Sequence, residues 1–315
     1  MRLLISGATG FIGSYLTAFL LKQRVQVGIL TRKVPSYLQS LMPNIDVYRI
    51  EITKPISLKT SKKYDIFIHL AAANDVDSQD TIRALEVTTL GTKHALDFCR
   101  QNQIPRFLYF STFQVYGRNK GDVDEHTPVS CRNDYALTHW FAEEYVRMYK
   151  REYGNRHIIV RPTNIYGRPF HPKINRWSLV PNCFCKEAFS RQTITLRSSG
   201  KQLRDFISLE DVSRITFKLC KQFDDYQNEI VNLARGKSIS VLHVAMKVKS
   251  IYEQLFKKEC KLLVQSNQPE KVNGFSVSTD RIRSLKYHYS QKHSIDYEIR
   301  GILKQLKKGF KNGSD

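Results

Sequence analysis

Ser6-Gly7-Ala8-Thr9-Gly10-Phe11-Ile12-Gly13 is the stretch that decides the fold of this chain. It follows Leu3-Leu4-Ile5, a short apolar run that reads as a buried strand. It opens the segment Phe11 to Lys22, whose apolar residues recur at helical spacing. A glycine-rich turn between a strand and a helix lets backbone amides approach a pyrophosphate at the positive helix N-terminus. The glycines are spaced Gly-x-x-Gly-x-x-Gly, one residue wider than the fingerprint of ordinary dinucleotide dehydrogenases. Gly7, Gly10 and Gly13, with Thr9, Phe11 and Ile12 between them, are therefore candidate cofactor contacts. The structural alternative is a tight turn that binds nothing.

Downstream, short β-rich runs alternate with helical patterns. Val25–Leu30, Ile45–Ile50, Asp65–Leu70, Phe107–Phe110 and His157–Val160 read as strands, and Ser78–Gln101 and Tyr135–Tyr153 as helices. That alternation predicts an α/β fold, a doubly wound parallel sheet covered by helices on both faces. After Gly167 the texture changes, with proline and aromatic residues clustered between Arg168 and Pro181. The expected organisation is a dinucleotide-binding domain over residues 1–167, with a returning segment at about 205–233. Within that segment Phe206 to Leu219 is expected to rejoin the main sheet. Residues 168–204 and 234–315 are expected to form a smaller C-terminal substrate-binding lobe.

Composition narrows the class. The chain has 315 residues, with hydrophobic residues at 41% and charged residues at 25%, which excludes an unfolded polar chain. No apolar run approaches the roughly 20 residues of a membrane span, and the first apolar run passes into the glycine turn rather than a cleavage site. The six cysteines form no Cys-x-x-Cys pair and no His/Cys cluster with metal spacing, so they read as thiols of a reducing compartment and no metal is expected. The expected location is cytoplasmic. The net charge of +21 is the compositional oddity, compatible with nucleic acid, an acidic membrane surface or small anionic ligands. It is densest in residues 237–315, which carry 16 basic and 7 acidic side chains.

The end of the second strand bears on which dinucleotide fits. An acidic residue there would bind the adenosine ribose hydroxyls and repel a 2′-phosphate. This chain has Thr31-Arg32-Lys33 instead, two cations beside a hydroxyl, which suit NADP(H). NAD remains open, since a solvated basic turn would look the same.

The chemistry-bearing segments are Phe110-Ser111-Thr112-Phe113-Gln114-Val115-Tyr116-Gly117 and Asp134-Tyr135-Ala136-Leu137-Thr138-His139. With the glycine turn, they make the chain resemble the extended short-chain dehydrogenase/reductase family, which includes nucleotide-sugar epimerases, dehydratases and ketoreductases. Leu70-Ala71-Ala72, Arg161-Pro162-Thr163-Asn164-Ile165-Tyr166-Gly167 and Gly200-Lys201-Gln202-Leu203-Arg204-Asp205-Phe206-Ile207 extend the resemblance to about residue 290. It implies a Rossmann-type fold, Tyr135 as the acid/base and Thr112 as a hydrogen-bond partner of the reacting sugar oxygen. It implies Asn164 and Arg204 as holders of the nucleotide diphosphate. It also places Glu51, Ile52, Leu70, Ala71, Ala72 and Pro162 beside the cofactor, and suggests a homodimer built on the helices from about Ser78 and from Tyr135. Each candidate has a structural alternative: Tyr135 as a packing aromatic, Thr112 as a strand-end cap, Asn164 as a turn former, and Arg204 as an ion pair with Asp205.

Three departures from the family pattern carry weight. Four residues after the tyrosine stands His139 where lysine is usual, and the i,i+4 spacing puts both on one helix face. That lysine is expected to hold the nicotinamide ribose and to lower the tyrosine pKa. A unit charge roughly 4 Å away at an effective dielectric near 20 is worth about 4 kcal/mol, some three pKa units. Histidine, with an ordinary pKa of about 6.5, supplies that charge only in part at neutrality, although its ring can still bond a ribose hydroxyl. A tyrosine left protonated is a poor base for oxidising an alcohol but remains a proton donor for reducing a ketone. The second departure is Thr88 where an asparagine usually steadies the active-site helix. The third is Phe113-Gln114 after Thr112, where 4,6-dehydratases place Asp-Glu to eliminate water.

These features favour an NADP(H)-dependent reductase of a keto sugar on a nucleotide diphosphate. The alternative is a nucleotide-sugar 4-epimerase with bound NAD(P). A third reading is a catalytically weakened dinucleotide-binding sensor with a basic surface, although no nucleic acid partner is expected. The tail Ile302-Leu303-Lys304-Gln305-Leu306-Lys307-Lys308-Gly309-Phe310-Lys311 has apolar residues at helical spacing between lysines. It fits either a helix packed on the core or one lying on an acidic membrane surface.

Overall fold

A computed structural model describes residues 1–266 and 274–311. In chain order it begins with β1 (Arg2–Ser6), α1 (Phe11–Lys22), β2 (Gln26–Thr31), β3 (Ile45–Arg49) and β4 (Ile66–His69). Then come α2 (Thr81–Ala84), a π-helical stretch over Leu85–Leu90, α3 (Gly91–Gln101), β5 (Arg106–Phe110) and β6 (Gly121–Val123). The middle of the chain forms α4 (Asp134–Tyr153), β7 (Arg156–Pro162), β8 (Asn164–Tyr166), α5 (Val180–Arg191) and β9 (Thr193–Leu196). The remainder forms β10 (Leu203–Ser208), α6 (Leu209–Lys221), β11 (Ile230–Leu233), β12 (Ser238–Ser240) and α7 (Val241–Phe256). Last come β13 (Lys261–Val264), β14 (Phe275–Val277), α8 (Asp280–Ser284) and α9 (Ile295–Lys311).

The chain divides into two compact units. The first comprises Met1–Gly117, Glu125–Pro162 and Ile215–Asn232. Its seven-stranded sheet has the order β11-β7-β5-β4-β1-β2-β3, with every pair from β3 to β7 parallel. This is the doubly wound α/β arrangement that the alternation predicts. Leu3, Leu4 and Ile5 are wholly buried, as central parallel strands require, because helices cover both faces. On one face Leu4, Phe67, Phe107 and Ile159 pack with Leu96 and Cys99 of α3 and Ala142 and Val146 of α4. The helix α4 starts where the Asn133 side chain accepts the Ala136 amide at 2.8 Å, and ends at Gly154 in the left-handed conformation. Chain order reverses between β1 and β4, which opens a crevice at the carboxyl ends of these strands.

Of the returning segment expected at about 205–233, Ile215–Asn232 falls in the first unit and ends in a strand of this sheet, but Phe206–Ser208 does not join it. Strand β10, containing Phe206–Ser208, pairs with β8 and β12 in a separate three-stranded sheet. The strand that completes the large sheet beside β7 is Ile230–Leu233, too short to stand out by pattern alone.

The second unit comprises Arg118–Asp124, Thr163–Arg214 and the described residues from Leu233 onward. It thus takes in β8 and the start of α6, which were expected in the dinucleotide-binding domain. Besides the three-stranded sheet it holds the pairs β13-β9 and β14-β6. Its core joins Phe184 and Ala188 of α5, Val244 and Val248 of α7, and Ile299, Ile302 and Leu303 of α9. Ile302 and Leu303 of the basic tail are therefore packed on the core, with Leu306 against the same cluster, while the side chains of residues 309–311 lie outside the described ones. The end of the tail, residues 312–315, lies outside the described residues. Among the described residues no helix is long and apolar enough to cross a membrane.

Candidate active site

In the first unit the crevice begins at the glycine turn. Gly7 has φ +69°, and a Cβ there would lie 2.7 Å from the backbone of Leu70 and Ala71. A Cβ on Gly13 would fall 2.2 Å from the Gly7 carbonyl oxygen. Only glycine lets the turn fold this closely on itself and on the strand beside it. The Gly10 amide donates to the Gly7 carbonyl at 3.0 Å, and the Tyr37 hydroxyl holds the Thr9 carbonyl at 2.6 Å. No side chain caps the start of α1 and its first turn has no acidic residue, so its dipole faces the crevice uncompensated. Phe11 is buried and Ile12 half-buried, so the turn offers mainly backbone.

Ser6, the last residue of β1, organises the neighbouring strand end. Its Oγ accepts the Leu70 and Ala71 amides at 3.2 and 3.3 Å and bonds His69 Nδ1 at 2.6 Å. His69 Nε2 bonds Thr92 Oγ1 at 3.1 Å, and Thr92 donates to the Thr88 carbonyl at 2.6 Å. Burial holds the His69 pKa down to about 3, helped by the nearby His139. Thr88 lies in the π-helical stretch and its Oγ1 accepts the Ala73 amide at 3.0 Å. Ala72 follows half-buried on the same strand exit.

At the end of β2 the Thr31 hydroxyl donates to the Lys33 carbonyl at 2.7 Å, so it shapes the turn itself. The Arg32 and Lys33 side chains are exposed, with Arg32 3.9 Å from the Glu51 carboxylate. Ile52 is buried in the core, and its carbonyl bonds His94 Nδ1 at 2.9 Å. Pro162 closes β7 and is buried.

The catalytic candidates lie on α4 and just beyond the end of β5. Thr112 is buried and its Oγ1 accepts the Gln114 amide at 3.3 Å, capping the short helix Phe113–Tyr116. Tyr135 and His139 do share one face of α4, their rings edge to face with centroids 4.8 Å apart. His139 is 3% exposed, and Nδ1 lies 2.8 Å from the Tyr109 hydroxyl. Its Nε2 is buried with no hydrogen-bond partner among the described residues. Burial pushes its pKa down to about 4, with the Glu143 carboxylate pulling the other way. The ring is thus uncharged at neutral pH, a stronger effect than the ordinary histidine pKa suggests.

Several contributors escaped the sequence reading. Glu143, wholly buried, accepts Ser111 Oγ at 2.5 Å, Arg161 Nε at 2.8 Å and Arg147 Nη2 at 3.0 Å. Arg161 is also buried and stacks 4.7 Å from the Tyr116 ring centroid. Burial disfavours its charge, but the Glu143 carboxylate more than offsets this and the pKa rises. This cluster ties α4 to β7 and to Ser111, the residue that follows β5 and precedes Thr112. The signal was the spacing Tyr135, His139, Glu143, three residues four apart on one helix face.

Asn164 and Arg204 belong to the second unit. Asn164 Nδ2 donates to the Asp205 carbonyl at 2.9 Å. Asp205 does not pair with Arg204; its carboxylate accepts the Thr163 hydroxyl and the Arg235 and Lys237 amides. Among the described residues Arg204 has no carboxylate partner, only the Leu203 carbonyl at 3.5 Å, and partial burial lowers its pKa. A half-buried guanidinium without a counter-ion is suited to an anion.

A doubly wound parallel sheet and a glycine turn in which Gly7 and Gly13 leave no room for a Cβ define a dinucleotide-binding class of fold. Consistent with this, the family model described as the NAD dependent epimerase/dehydratase family matches residues 3–234, and the chain belongs to that family. A putative UDP-glucose 4-epimerase from Methanocaldococcus jannaschii is 29% identical over 245 residues, covering 76% of this chain and 78% of that one. A dTDP-D-glucose 4,6-dehydratase from Dictyostelium discoideum is 27% identical, covering 79% of this chain and 62% of that one. Among solved structures, UDP-glucuronic acid 4-epimerase from Bacillus cereus in complex with NAD shares the fold. It has a TM-score of 0.82 and 22% identity over 98% of this chain and 99% of that one.

Proposed function

We propose that this protein reduces the carbonyl of a keto sugar carried on a nucleotide diphosphate, with NADP(H) as its preferred dinucleotide. The residues present fit such a cofactor: Gly7 and Gly13 leave no room for a Cβ in the turn, and the buried His139 Nε2 has no partner among the described residues. When bound, the nicotinamide supplies hydride to the carbonyl carbon. The Tyr135 hydroxyl gives its proton to the oxygen, so the ketone becomes an alcohol, and Thr112 hydrogen-bonds that oxygen. Gly7, Thr9, Gly10, Phe11, Ile12 and Gly13 take the pyrophosphate, and Leu70, Ala71, Ala72 and Pro162 line the remaining cofactor contacts. Thr31, Arg32 and Lys33 form the turn for a 2′-phosphate, with Glu51 and Ile52 beside it. Asn164 and Arg204 hold the nucleotide diphosphate.

The uncharged His139 carries this reading. A lysine there would draw the phenol proton off and make Tyr135 a base for alcohol oxidation; a buried neutral imidazole does not. Reduction needs Tyr135 as an acid, whereas epimerisation and dehydration both begin with oxidation. Phe113 and Gln114 supply no acid or base for elimination, and Gln114 Oε1 is taken by Asn133 Nδ2 at 3.3 Å. The second reading is a nucleotide-sugar 4-epimerase, favoured by the likeness to the M. jannaschii protein. The free thiols of all six cysteines suit a reducing, cytoplasmic setting.

A homodimer is part of the proposal. Ile82 and Leu90 are 66% and 42% exposed, and Leu137 and Phe141 lie one helical turn apart on α4 at 37% and 40%. Apolar residues exposed on both helices suit a helix-bundle interface between two copies.

The test mixes the protein with NADPH or NADH and a panel of nucleotide 4-keto-6-deoxy sugars and follows loss of reduced-nicotinamide absorbance. Oxidation of NADPH with one of them is expected. No oxidation with any keto sugar, together with interconversion of UDP-hexoses without added cofactor, supports the epimerase instead.

A further inference from the structure

One row of side chains crosses three adjacent strands of the first unit. Ser6 of β1 is the register partner of His69 of β4, and His69 that of Tyr109 of β5. The His69 and Tyr109 rings stack at 5.9 Å and 25°, and the Tyr109 hydroxyl reaches His139 Nδ1 on α4. All four side chains are at most 3% exposed, so every proton along the row must be placed by protein groups.

The proton positions follow from the ends of the row. Thr92 has one hydroxyl proton and gives it to the Thr88 carbonyl, so its oxygen can only accept from His69 Nε2. His69 therefore carries its proton on Nε2 and accepts from Ser6 at Nδ1. Tyr109 likewise has one proton, and burial holds its pKa well above the ordinary value, so the phenol stays protonated. The neighbouring Thr92 Oγ1 has a second lone pair, but the Tyr109 hydroxyl sits at 2.8 Å from His139 Nδ1, and an imidazole nitrogen is the stronger neutral acceptor. The Tyr109 proton then lies toward His139 Nδ1, and the remaining proton of the neutral ring is on Nε2.

We infer that Tyr109 is a positioning residue that fixes His139 as the Nε2–H tautomer, leaving one buried neutral donor for a hydroxyl oxygen of the bound dinucleotide. The inference rests on the reading that His139 faces the cofactor. The groups around the ring are Tyr109 on β5, His69 on β4 and Tyr135 and Glu143 on α4; of these Glu143 is bound to two arginines and Ser111. A donor without charge still binds a hydroxyl, but leaves the Tyr135 proton in place. One substitution in the sequence thereby separates two tasks that a lysine would perform together.

The experiment is long-range 1H–15N correlation on the full chain labelled at histidine, without added cofactor, near pH 7. The His139 signals are assigned by their loss in His139→Gln. The expected pattern is a neutral ring protonated at Nε2, converting in Tyr109→Phe to a mixture or to the Nδ1–H form. The NADPH and NADH dissociation constants of that variant should rise roughly fivefold, the worth of one net hydrogen bond. Tyr109→Phe keeps the aromatic stack, and if it fails to fold the wild-type tautomer decides alone. A wild-type ring protonated at Nδ1 or at both nitrogens overturns the inference, as does an unchanged tautomer in Tyr109→Phe. No turnover enters this measurement, so it stands apart from whether the enzyme reduces or epimerises.

Discussion

The Arg161 guanidinium grips the Glu143 carboxylate with two of its nitrogens, Nε to Oε1 at 2.8 Å and Nη2 to Oε2, and both side chains are at most 1% exposed. Ser111 shares Oε1, so the residue before Thr112 is tied to the helix that presents Tyr135 and His139. Removing one partner of a buried pair leaves an uncompensated charge, at a cost of about 3–5 kcal/mol. Glu143→Gln should lose that much in urea unfolding, whereas Ser111→Ala should lose about 1 kcal/mol. A Glu143→Gln loss below that of Ser111→Ala would contradict the assignment.

His139→Lys restores a cation to the face of Tyr135. A charge at roughly 4 Å is worth up to about 4 kcal/mol at an effective dielectric near 20, less whatever burial removes by lowering the new lysine pKa. The ratio of alcohol oxidation to ketone reduction should therefore rise by about tenfold or more, measured in both directions with one sugar pair. A ratio equal to that of the parent would refute the account of proton transfer.

Acid should destabilise the protein through its buried histidines. His69 and His139 are held down to about 3 and about 4, below the ordinary 6.5. Above pH 6.5 neither state binds the proton and there is no effect. As pH falls below 6.5 the unfolded chain takes up protons that the folded chain refuses until its own pKa is reached. Stability should drop by about 1.4 kcal/mol per pH unit for each histidine over the window from about pH 6 to 4. Unfolding free energies of His139→Gln measured through that window should show a shallower slope.

The proposed preference for NADP(H) turns on Arg32. Its side chain is 62% exposed and only 3.9 Å from Glu51, a solvent-screened contact of little strength, so the guanidinium is available to a 2′-phosphate. Arg32→Ala should weaken NADPH by roughly tenfold, about one charge-assisted hydrogen bond, with little change for NADH. Equal weakening of both, by titration of cofactor fluorescence, would remove the NADP(H) preference.

Phe141→Glu places a carboxylate on the exposed apolar face of α4. In a dimer built on that face it should shift the elution volume and sedimentation coefficient to those of a single chain. An unchanged particle size would put any interface elsewhere.

Much of the fold was legible in the sequence because its signals are local. A glycine is required wherever a Cβ would strike backbone, and the Gly7 and Gly13 positions announce themselves without any distant partner. Parallel strands buried on both faces read as continuous apolar runs, and spacing by four puts Tyr135, His139 and Glu143 on one face of α4. Strand β11 was not legible, since four residues carry too little pattern to say which sheet receives them.

The sequence by itself thus determined the doubly wound sheet, the glycine turn and a histidine four residues after Tyr135. Only the tertiary structure decided what that histidine is. Its partner Tyr109 lies 30 residues away, and the arginine that neutralises Glu143 is 18 residues from it. Protonation depends on desolvation and on which groups pack around a ring, and both are set by contacts that the chain makes only once it is folded.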